Sequence, residues 1–250
     1  MRGIVRNLDD QLVALDHTDA KCRVEGRRAL TGLAHALSHD VRAAFRSTQG
    51  FAQVVAARAA DTLPQEDLQL LQRVVDASQR GSALLDEIVA WLRITQYTPK
   101  FQTVDIQFVL EWAASDVDPS ALDLHITGNA ETIGDEHLLK RLFEVILSNA
   151  RNFTAAGTGP AHLQVDVRED DSGVHIRVQD AGIGFDPQHA SRVFEPFVRL
   201  HAAEAGGGQG LGLAIAKTIV DKHEGSISLT AADGGGSVVT IFLPKVSDRT

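Results

Sequence analysis

Several features that decide a protein's class are scarce or missing in this chain of 250 residues. Its single cysteine, Cys22, excludes an internal disulfide and favours a reducing, cytoplasmic compartment. No apolar run approaches the ~18 residues that a membrane span needs, and residues 1–6 lack the apolar core of a signal peptide. These absences predict a soluble, cytoplasmic protein with no membrane span in this chain.

Basic residues are also in deficit. The sequence holds 24 Lys and Arg against 33 Asp and Glu, for a formal net charge of −9. The basic residues do not cluster as they would on a surface that neutralises phosphates, so a nucleic-acid partner is excluded. The remaining composition, 44% apolar and 23% charged, is that of a globular protein with enough apolar residues for two modest cores.

The first hundred residues have the apolar spacing of helices. Residues 1–26 predict a lead-in helix, which could pair in a dimer or fray as a chain terminus. From residue 27 to about residue 60 the spacing becomes regular, and His39 lies on the polar side because each residue turns a helix by ~100°. The apolar positions that share one stripe are Leu30, Leu33, Leu37, Val41, Ala44, Thr48, Phe51 and Val55, widened by Ala34, Phe45 and Ala52.

A short break separates this helix from a second one. Thr62 and Gln65 fit a capping box, and Pro64 is tolerated in a first helical turn. The short connection folds the two helices back antiparallel, and such a hairpin cannot bury both apolar stripes alone. We therefore predict a homodimer in which two hairpins, each spanning residues 27–97, form a four-helix bundle.

The pattern changes after a linker at residues 98–102. Residues 103–246 mix helical spacing with strictly alternating stretches, such as residues 162–167 and 174–178, that are typical of strands. Strands in antiparallel pairs with helices on one face make an α+β sandwich. The predicted fold class is therefore multidomain, an all-α hairpin followed by an α+β domain, with residues 247–250 as a tail.

Two glycine-rich segments have the chemistry of a nucleotide pocket. Residues 180–184 (DAGIG) follow a predicted strand, where Asp180 could accept a hydrogen bond from a purine amine while the glycines let the backbone approach the ring. Residues 208–212 (GQGLG) open a predicted helix, whose first N–H groups are a ready phosphate site. Neither segment has dinucleotide or Walker spacing, and glycine pairs also mark ordinary turns.

Asn149 and His39 each allow two interpretations. Asn149 lies on the inward face of a helix predicted at residues 135–152, where it is either a satisfied core amide or, between two glycine loops, a ligand for Mg²⁺. His39, taken alone, is an ordinary solvated histidine. Together with a nucleotide pocket on a separate domain, it becomes a candidate acceptor for phosphoryl transfer.

These segments, in this order, resemble a known family. Ser38-His39-Asp40-Val41-Arg42 resembles the histidine box of two-component sensor histidine kinases, and residues 149–154 resemble their asparagine box. Residues 180–184 and 208–213 are similar to the two glycine boxes, and residues 192–197 (RVFEPF) to the phenylalanine box. The resemblance covers about residues 27–244. It implies a dimerising phosphoacceptor hairpin followed by an ATP-binding domain of the type shared with gyrase and Hsp90.

The resemblance also implies an activity. The γ-phosphoryl group of ATP would move to His39, with Asp40 holding the ring and taking its proton, and then to an aspartate in the receiver domain of a response regulator. Mg²⁺ would bind Asn149. The nucleotide-binding residues that it implies are Asn149, Asn152, Asp180, Gly182, Gly184, Phe194, Arg199, Gly208, Gly210, Leu211 and Gly212. No sensor domain is recognisable before residue 27, so an upstream sensor protein is a further possible partner.

Two departures from the family keep alternatives open. Val145 stands where the family usually has an asparagine, and Asn152 stands in place of a phosphate-contacting lysine, for which Arg151 could substitute. A degenerate transmitter, acting as a dimeric docking scaffold without autokinase activity, is therefore the alternative. An ATPase or serine kinase of the same superfamily is disfavoured because Val145 also removes the carboxylate base that the ATPases use.

Overall fold

The computed structural model describes residues 39–154, 159–190, 192–199 and 208–245. The predicted lead-in helix, the first three leucines of the apolar stripe, residues 200–207 and the tail lie outside the described residues. The chain divides into two compact units, with the boundary between Gln96 and Tyr97.

The first unit is a hairpin of two helices. Within the described part of the chain, α1 covers residues 39–58 and α2 spans Gln65–Gln96. The predicted capping box is wrong, because the Thr62 hydroxyl donates to Ala59 O (3.3 Å) and so belongs to the turn that ends α1. Pro64 takes the capping position instead, since its carbonyl accepts the first backbone hydrogen bonds of α2.

The two helices meet along a narrow apolar seam. Ala52 of α1 is buried, and Phe45 packs so closely on α2 that a Cβ at Gly81 would lie 2.4 Å from its ring atom Cζ. Arg42 adds a hydrogen bond across the hairpin to Asp86 (2.7 Å). The buried residues that α2 contributes are Val75, Ser78 and Val89.

The apolar stripe predicted for α1 is not the surface that α2 covers. Phe51 is 72% exposed in the single chain, and Val41 and Val55 are exposed beside it. It is the widening residues, Phe45 and Ala52, that turn toward α2. Among the described residues, nothing covers this apolar face of the hairpin.

The second unit combines three helices with seven strands among the described residues. The strands are β1 (Gln102–Asp105), β2 (Leu122–Thr127), β3 (Glu131–Gly134), β4 (Ala161–Glu169), β5 (Gly173–Asp180), β6 (Ser226–Ala231) and β7 (Ser237–Pro244). The helices are α3 (Ile106–Val117), α4 (Glu136–Asn152) and α5 (Gly212–Lys222). Short 3-10 turns at Pro119–Ala121 and Pro187–His189 complete the unit.

Five strands form one sheet in the order β2-β4-β5-β7-β6. Three neighbouring pairs are antiparallel as predicted, but β2 and β4 run parallel, with Asp123 opposite His162. The prediction of antiparallel pairs throughout is therefore wrong at this edge, because α4 lies between the two strands in the chain and forms a crossover. A second, two-stranded sheet of β1 and β3, which the sequence did not indicate, lies beside it.

One face of the large sheet carries the core. Along β4, Leu163, Val165 and Val167 are buried while His162 and Gln164 are exposed, as the alternation in sequence predicted. The helices supply the other half of the core through Leu139, Leu142, Phe143, Leu147, Ile215 and Ile219. No helix within the described residues holds an apolar stretch long enough to cross a bilayer.

Candidate nucleotide site and phosphoacceptor histidine

The C-terminal half of α4 lies directly against the start of α5. A Cβ on Gly212 would come within 3.3 Å of Val145 Cγ1 and 3.8 Å of Asn149 Oδ1. A side chain at position 212 would therefore crowd Val145 and touch Asn149. The glycine thus brings the first turn of α5 next to the half-buried amide of Asn149.

The start of α5 is built to present backbone N–H groups. Leu211, at the cap position, is fully buried and gives the helix no side-chain cap hydrogen bond. Its buried side chain anchors the exposed end of the loop at Gly208 to the core. The first N–H groups of an α-helix have no partner inside the helix, so an anion can bind them.

The loop after β5 is docked on the end of α4. Asp180 Oδ1 accepts hydrogen bonds from the N–H groups of Gly182 (2.8 Å) and Ser237 (3.1 Å). Ile183, directly after Gly182, donates its N–H to Phe153 O (2.9 Å) at the C-terminal end of α4. A Cβ on Gly182 would lie 2.7 Å from that same oxygen, so only glycine fits this approach.

The glycines of the β6–β7 hairpin support the same loop, which the sequence analysis missed. A Cβ on Gly236 would lie 2.1 Å from Asp180 O, and Gly236 has a φ of +86° that favours glycine. Gly184, at φ +69°, also packs against Gly236. Three consecutive glycines at residues 234–236 exceed what a hairpin turn needs, and that excess is the signal that could have found this support.

Residues 192–199 adjoin the second glycine segment. Phe197 donates its N–H to Gly210 O (2.9 Å), and a Cβ on Gly210 would lie 2.9 Å from Val198 O and 3.1 Å from Arg199 Cγ. Val193 is buried and anchors the segment, whereas Phe194 is half-buried. Residues 192–199 are thus fixed to the loop that precedes α5.

Arg151 and Asn152 are the last two residues of α4. Arg151 donates to Val117 O (2.8 Å), the last residue of α3, and to Asn152 Oδ1 (3.4 Å). These contacts direct the Arg151 guanidinium toward α3. The arginine therefore does not take the place of the missing lysine in this structure.

His39 and Asp40 belong to the helical unit, apart from these loops. Their side chains are 78% and 86% exposed, and His39 Nδ1 lies 3.2 Å from Asp40 Oδ1. An exposed imidazole with a neighbouring carboxylate has one nitrogen held and the other open to a reactant. The structure thus brings Asn149, Asp180 and the glycines together in one unit, and the histidine belongs to the other.

Comparison with known proteins agrees with this arrangement. The family described as "Histidine kinase-, DNA gyrase B-, and HSP90-like ATPase" matches residues 134–247. The structure of the mycobacterial sensor histidine kinase MprB is similar over 58% of this chain and 97% of that one, at a TM-score of 0.51 and 29% identity.

Two curated relatives extend the similarity over the helical unit. The sensor-like histidine kinase SenX3 of Mycolicibacterium smegmatis is 30% identical over 99% of this chain and 67% of its own length. The phytochrome-like protein Cph1 of Synechocystis is 26% identical over 86% of this chain, which spans only 29% of that protein. The chain thus spans about two thirds of the length of SenX3 and less than a third of the length of Cph1. A helical region followed by an α/β ATP-binding unit, matched in this way from end to end, places the chain in the sensor histidine kinase family.

Proposed function

We propose that this protein is an ATP-dependent histidine kinase that phosphorylates His39 and then an aspartate in a response regulator of a two-component system. One observation carries the proposal. The loops that can hold a nucleotide converge on Asn149 in one unit, and an exposed histidine with a carboxylate partner lies in the other. Transfer from a bound nucleotide to a protein side chain needs a pocket for ATP and an exposed acceptor that can be brought to the γ-phosphate, and the two units supply one each.

Asp180 would recognise the adenine ring. Its Oδ1 is held by two backbone donors, which orients the second carboxylate oxygen so that it can accept from the exocyclic amine. Gly182 and Gly184 leave room for the flat ring beside the backbone. In the loop before α5, Gly208 and Gly210 would let the backbone close over the nucleotide.

The phosphates would lie at the start of α5. The uncapped N–H groups after Leu211 and the first-turn backbone of Gly212 favour negative charge there. Arg199 and Phe194 lie on the segment fixed to Gly210, where the arginine could reach the terminal phosphate. Asn152 borders this region at the end of α4.

Mg²⁺ fits Asn149 as its protein ligand. Mg²⁺ prefers oxygen donors and commonly takes one or two from the protein, with the rest from phosphates and water. Within the described residues no group of three His, Cys, Asp or Glu side chains could hold a metal by itself, so the amide oxygen of Asn149 next to Gly212 is the donor that the site offers. Bound there, the ion would neutralise phosphate charge.

The chemical step at His39 follows from the geometry of its two nitrogens. With a proton on Nδ1 donated to Asp40, Nε2 keeps its lone pair and can form a bond to the γ-phosphorus. The bond between that phosphorus and the β–γ bridging oxygen breaks, and ADP leaves with the electron pair. The Nδ1 proton passes to Asp40, so the imidazole ring of the phosphohistidine is uncharged and the phosphoryl oxygens keep their negative charge.

The phosphoryl group then passes to the response regulator. A carboxylate oxygen of the regulator's aspartate attacks the phosphorus, the phosphorus–nitrogen bond breaks, and the imidazole recovers a proton. The exposed position of His39 supports this step, because the same surface must admit both ATP and a receiver domain. The uncovered apolar face of α1 supports a homodimer as the working state.

Incubation with Mg²⁺ and γ-labelled ATP tests the proposal. We expect label on the protein that is stable in alkali and lost in acid, as phosphohistidine is. Acid-stable label would indicate a serine kinase, and release of inorganic phosphate without label would indicate an ATPase. ATP binding with no label at all would favour the docking scaffold, for which the apolar Val145 beside Asn149 is the structural argument.

A further inference from the structure

The residues that follow α2 are fastened to the ATP-binding unit by one carboxylate. Asp135 Oδ2 accepts hydrogen bonds from the Tyr97 hydroxyl (3.0 Å) and from the Lys100 N–H (2.7 Å). Lys222, the last residue of α5, donates from its Nζ to Tyr97 O (2.8 Å). We call residues 97–101 the linker segment. It is bonded to the start of α4 through Asp135 and to the end of α5 through Lys222.

A buried histidine underlies this attachment. His223 Nε2 accepts a hydrogen bond from the Asp135 N–H (3.0 Å), and Nδ1 lies 2.8 Å from Ile219 O, to which it can only donate. The imidazole is therefore neutral, with its one proton on Nδ1. Phe101 of the linker segment covers the ring edge-on, with 5.4 Å between the ring centroids.

The attachment lies at the far end of the two helices that carry the nucleotide loops. Asp135 caps α4 through a hydrogen bond to the Leu138 N–H (3.0 Å), and α4 ends near Asn149, about 20 Å away at 1.5 Å per residue. α5 runs the other way, from Gly212 beside Asn149 back to His223. His223 thus joins the end of α5 to the start of α4, far from the nucleotide loops.

We propose that His223 and Asp135 are positioning residues that form a proton-sensitive latch, which holds the linker segment on the ATP-binding unit while His223 is neutral and releases it when His223 is protonated. The effect of the latch on phosphotransfer rests on the proposed function. The latch itself does not, because it depends only on contacts within this unit.

Protonation would exchange the partners of Asp135. A proton on Nε2 turns that nitrogen into a donor that faces another donor, the Asp135 N–H. The new positive charge attracts the Asp135 carboxylate, which is then drawn from the Tyr97 hydroxyl and the Lys100 N–H. The linker segment thereby loses the two hydrogen bonds that Tyr97 and Lys100 donate to Asp135 Oδ2.

The charged groups around His223 set the pH range of the latch. Burial lowers the pKa of His223 below its ordinary 6.5, while the Ile219 carbonyl and the Asp135 carboxylate act to raise it. Burial alone would raise the pKa of Asp135, but the Lys100 and Leu138 N–H groups, the Tyr97 hydroxyl and His137 hold it below its ordinary value. Lys222 is the cation nearest to this cluster from α5.

The sign of the pH dependence follows. A histidine whose pKa falls on folding stabilises the closed latch fully above ~6.5, and that contribution is lost as the pH drops toward the lower, folded pKa. Asp135 stays ionised over this range because its pKa is lowered. The latch therefore opens on acidification through His223 alone.

The single tyrosine of the chain makes a direct test possible, since Tyr97 is that tyrosine. The full chain is labelled with fluorotyrosine, and its one fluorine NMR signal is followed from about pH 7.5 to about pH 5.5. We expect the signal to move with a midpoint below ~6.5 in the wild type and in a His137→Gln control. It should stay in place in His223→Gln, which has no titrating ring.

Two results would overturn the latch: a signal that does not move in the wild type, or one that moves equally in His223→Gln. Should His223→Gln fail to fold, Tyr97→Phe removes one hydrogen bond and keeps the core. Amide hydrogen exchange at Lys100 should then be faster by about two- to tenfold at neutral pH, the effect of one net hydrogen bond, and unchanged exchange would count against the latch.

The kinase arm separates the latch from the proposed function. Autophosphorylation of the wild type should change between about pH 7.5 and about pH 5.5, and His223→Gln should remove only the part of that change that follows the fluorine titration, while nucleotide affinity stays the same. The part that comes from the protonation state of the nucleophile is common to both proteins and cancels in the comparison. A fluorine titration without any phosphorylation keeps the latch and rejects the kinase. Phosphorylation without a fluorine titration keeps the kinase and rejects the latch.

Discussion

Two histidines of this chain show how surroundings decide the chemistry of a residue. His39 is 78% exposed and keeps one ring nitrogen open beside Asp40, whereas His223 is buried with both nitrogens engaged by the backbone. An open nitrogen can act as a nucleophile, and an engaged one can only hold structure or respond to a proton. The two residues are therefore candidates for different tasks in one reaction.

Replacing His39 by glutamine should abolish acid-labile labelling and leave nucleotide affinity unchanged. The reason is that the acceptor nitrogen is lost while the loops around Asn149 belong to the other unit. Labelling with γ-labelled ATP and titration with a fluorescent ATP analogue measure the two effects separately. Label that persists on the variant at the wild-type level would contradict the assignment of His39.

Replacing Asp180 by asparagine should weaken nucleotide binding by roughly tenfold or more, the effect of losing a charge-assisted hydrogen bond. Asp170 offers a matched control at the other end of β5, where its carboxylate likewise accepts from two backbone N–H groups, those of Ser172 and Gly173. Asp170→Asn should lower stability and spare affinity. Equal affinity losses in both variants, measured by calorimetry, would show that Asp180 acts only through the fold.

At the scale of elements, two helical glycines of the hairpin allow a paired test of packing. Gly81 meets the Phe45 ring, whereas nothing lies within 4 Å of the position that a Cβ on Gly50 would take. Gly50→Ala should stabilise the hairpin by up to about 1 kcal/mol through helix propensity. Gly81→Ala should lose that gain to overpacking, which costs about 1–3 kcal/mol.

Thermal or denaturant unfolding of the full chain, followed by helical circular dichroism, compares the two glycine variants. The decisive quantity is the difference between them in free energy of unfolding. If both alanines stabilised equally, α1 and α2 would not be as close at Phe45 as the structure has them.

Helices and strands were predictable from the sequence wherever apolar residues recur several times at the spacing of one buried face. The alternation along β4 and β5 and the apolar spacing of α4 appear directly in the sequence, because each buries one face. The direction of β2 could not be predicted, because the alternation of buried and exposed residues is the same in parallel and antiparallel pairs. β1 and β3, at four residues each, are too short to show a period.

The candidate site was predictable in its motifs and not in their support. Asp180 and Gly212 are recognisable because their neighbours in sequence complete a pattern. Gly236 and Phe153, which hold the Asp180 loop, come from elsewhere in the chain, and the approach of two backbones carries no local signal. The buried His223 was missed for the same reason, since its partner Asp135 lies 88 residues away in sequence.

At the scale of the whole molecule, the hairpin has an apolar surface that the described part of the chain leaves open. Phe51, Val54 and Val55 of α1 and Leu70 and Val74 of α2 are all exposed. Exposed large apolar residues that recur at helical spacing indicate an interface more often than scattered ones do. A second copy of the hairpin supplies a surface of the same kind, which is the basis for expecting a symmetric four-helix bundle.

Charged residues on this face should therefore separate the dimer. In Phe51→Asp/Val55→Asp, association would bury unpaired carboxylates at a cost of several kcal/mol, so the chain should run as a monomer in light scattering at micromolar concentration. Phe108→Asp is the control, because Phe108 is also exposed but lies on α3 of the ATP-binding unit, and this variant should remain dimeric. A wild-type chain that is already monomeric would contradict the bundle. So would a Phe108→Asp variant that dissociates as fully as the double variant, because the interface would then lie on the other unit.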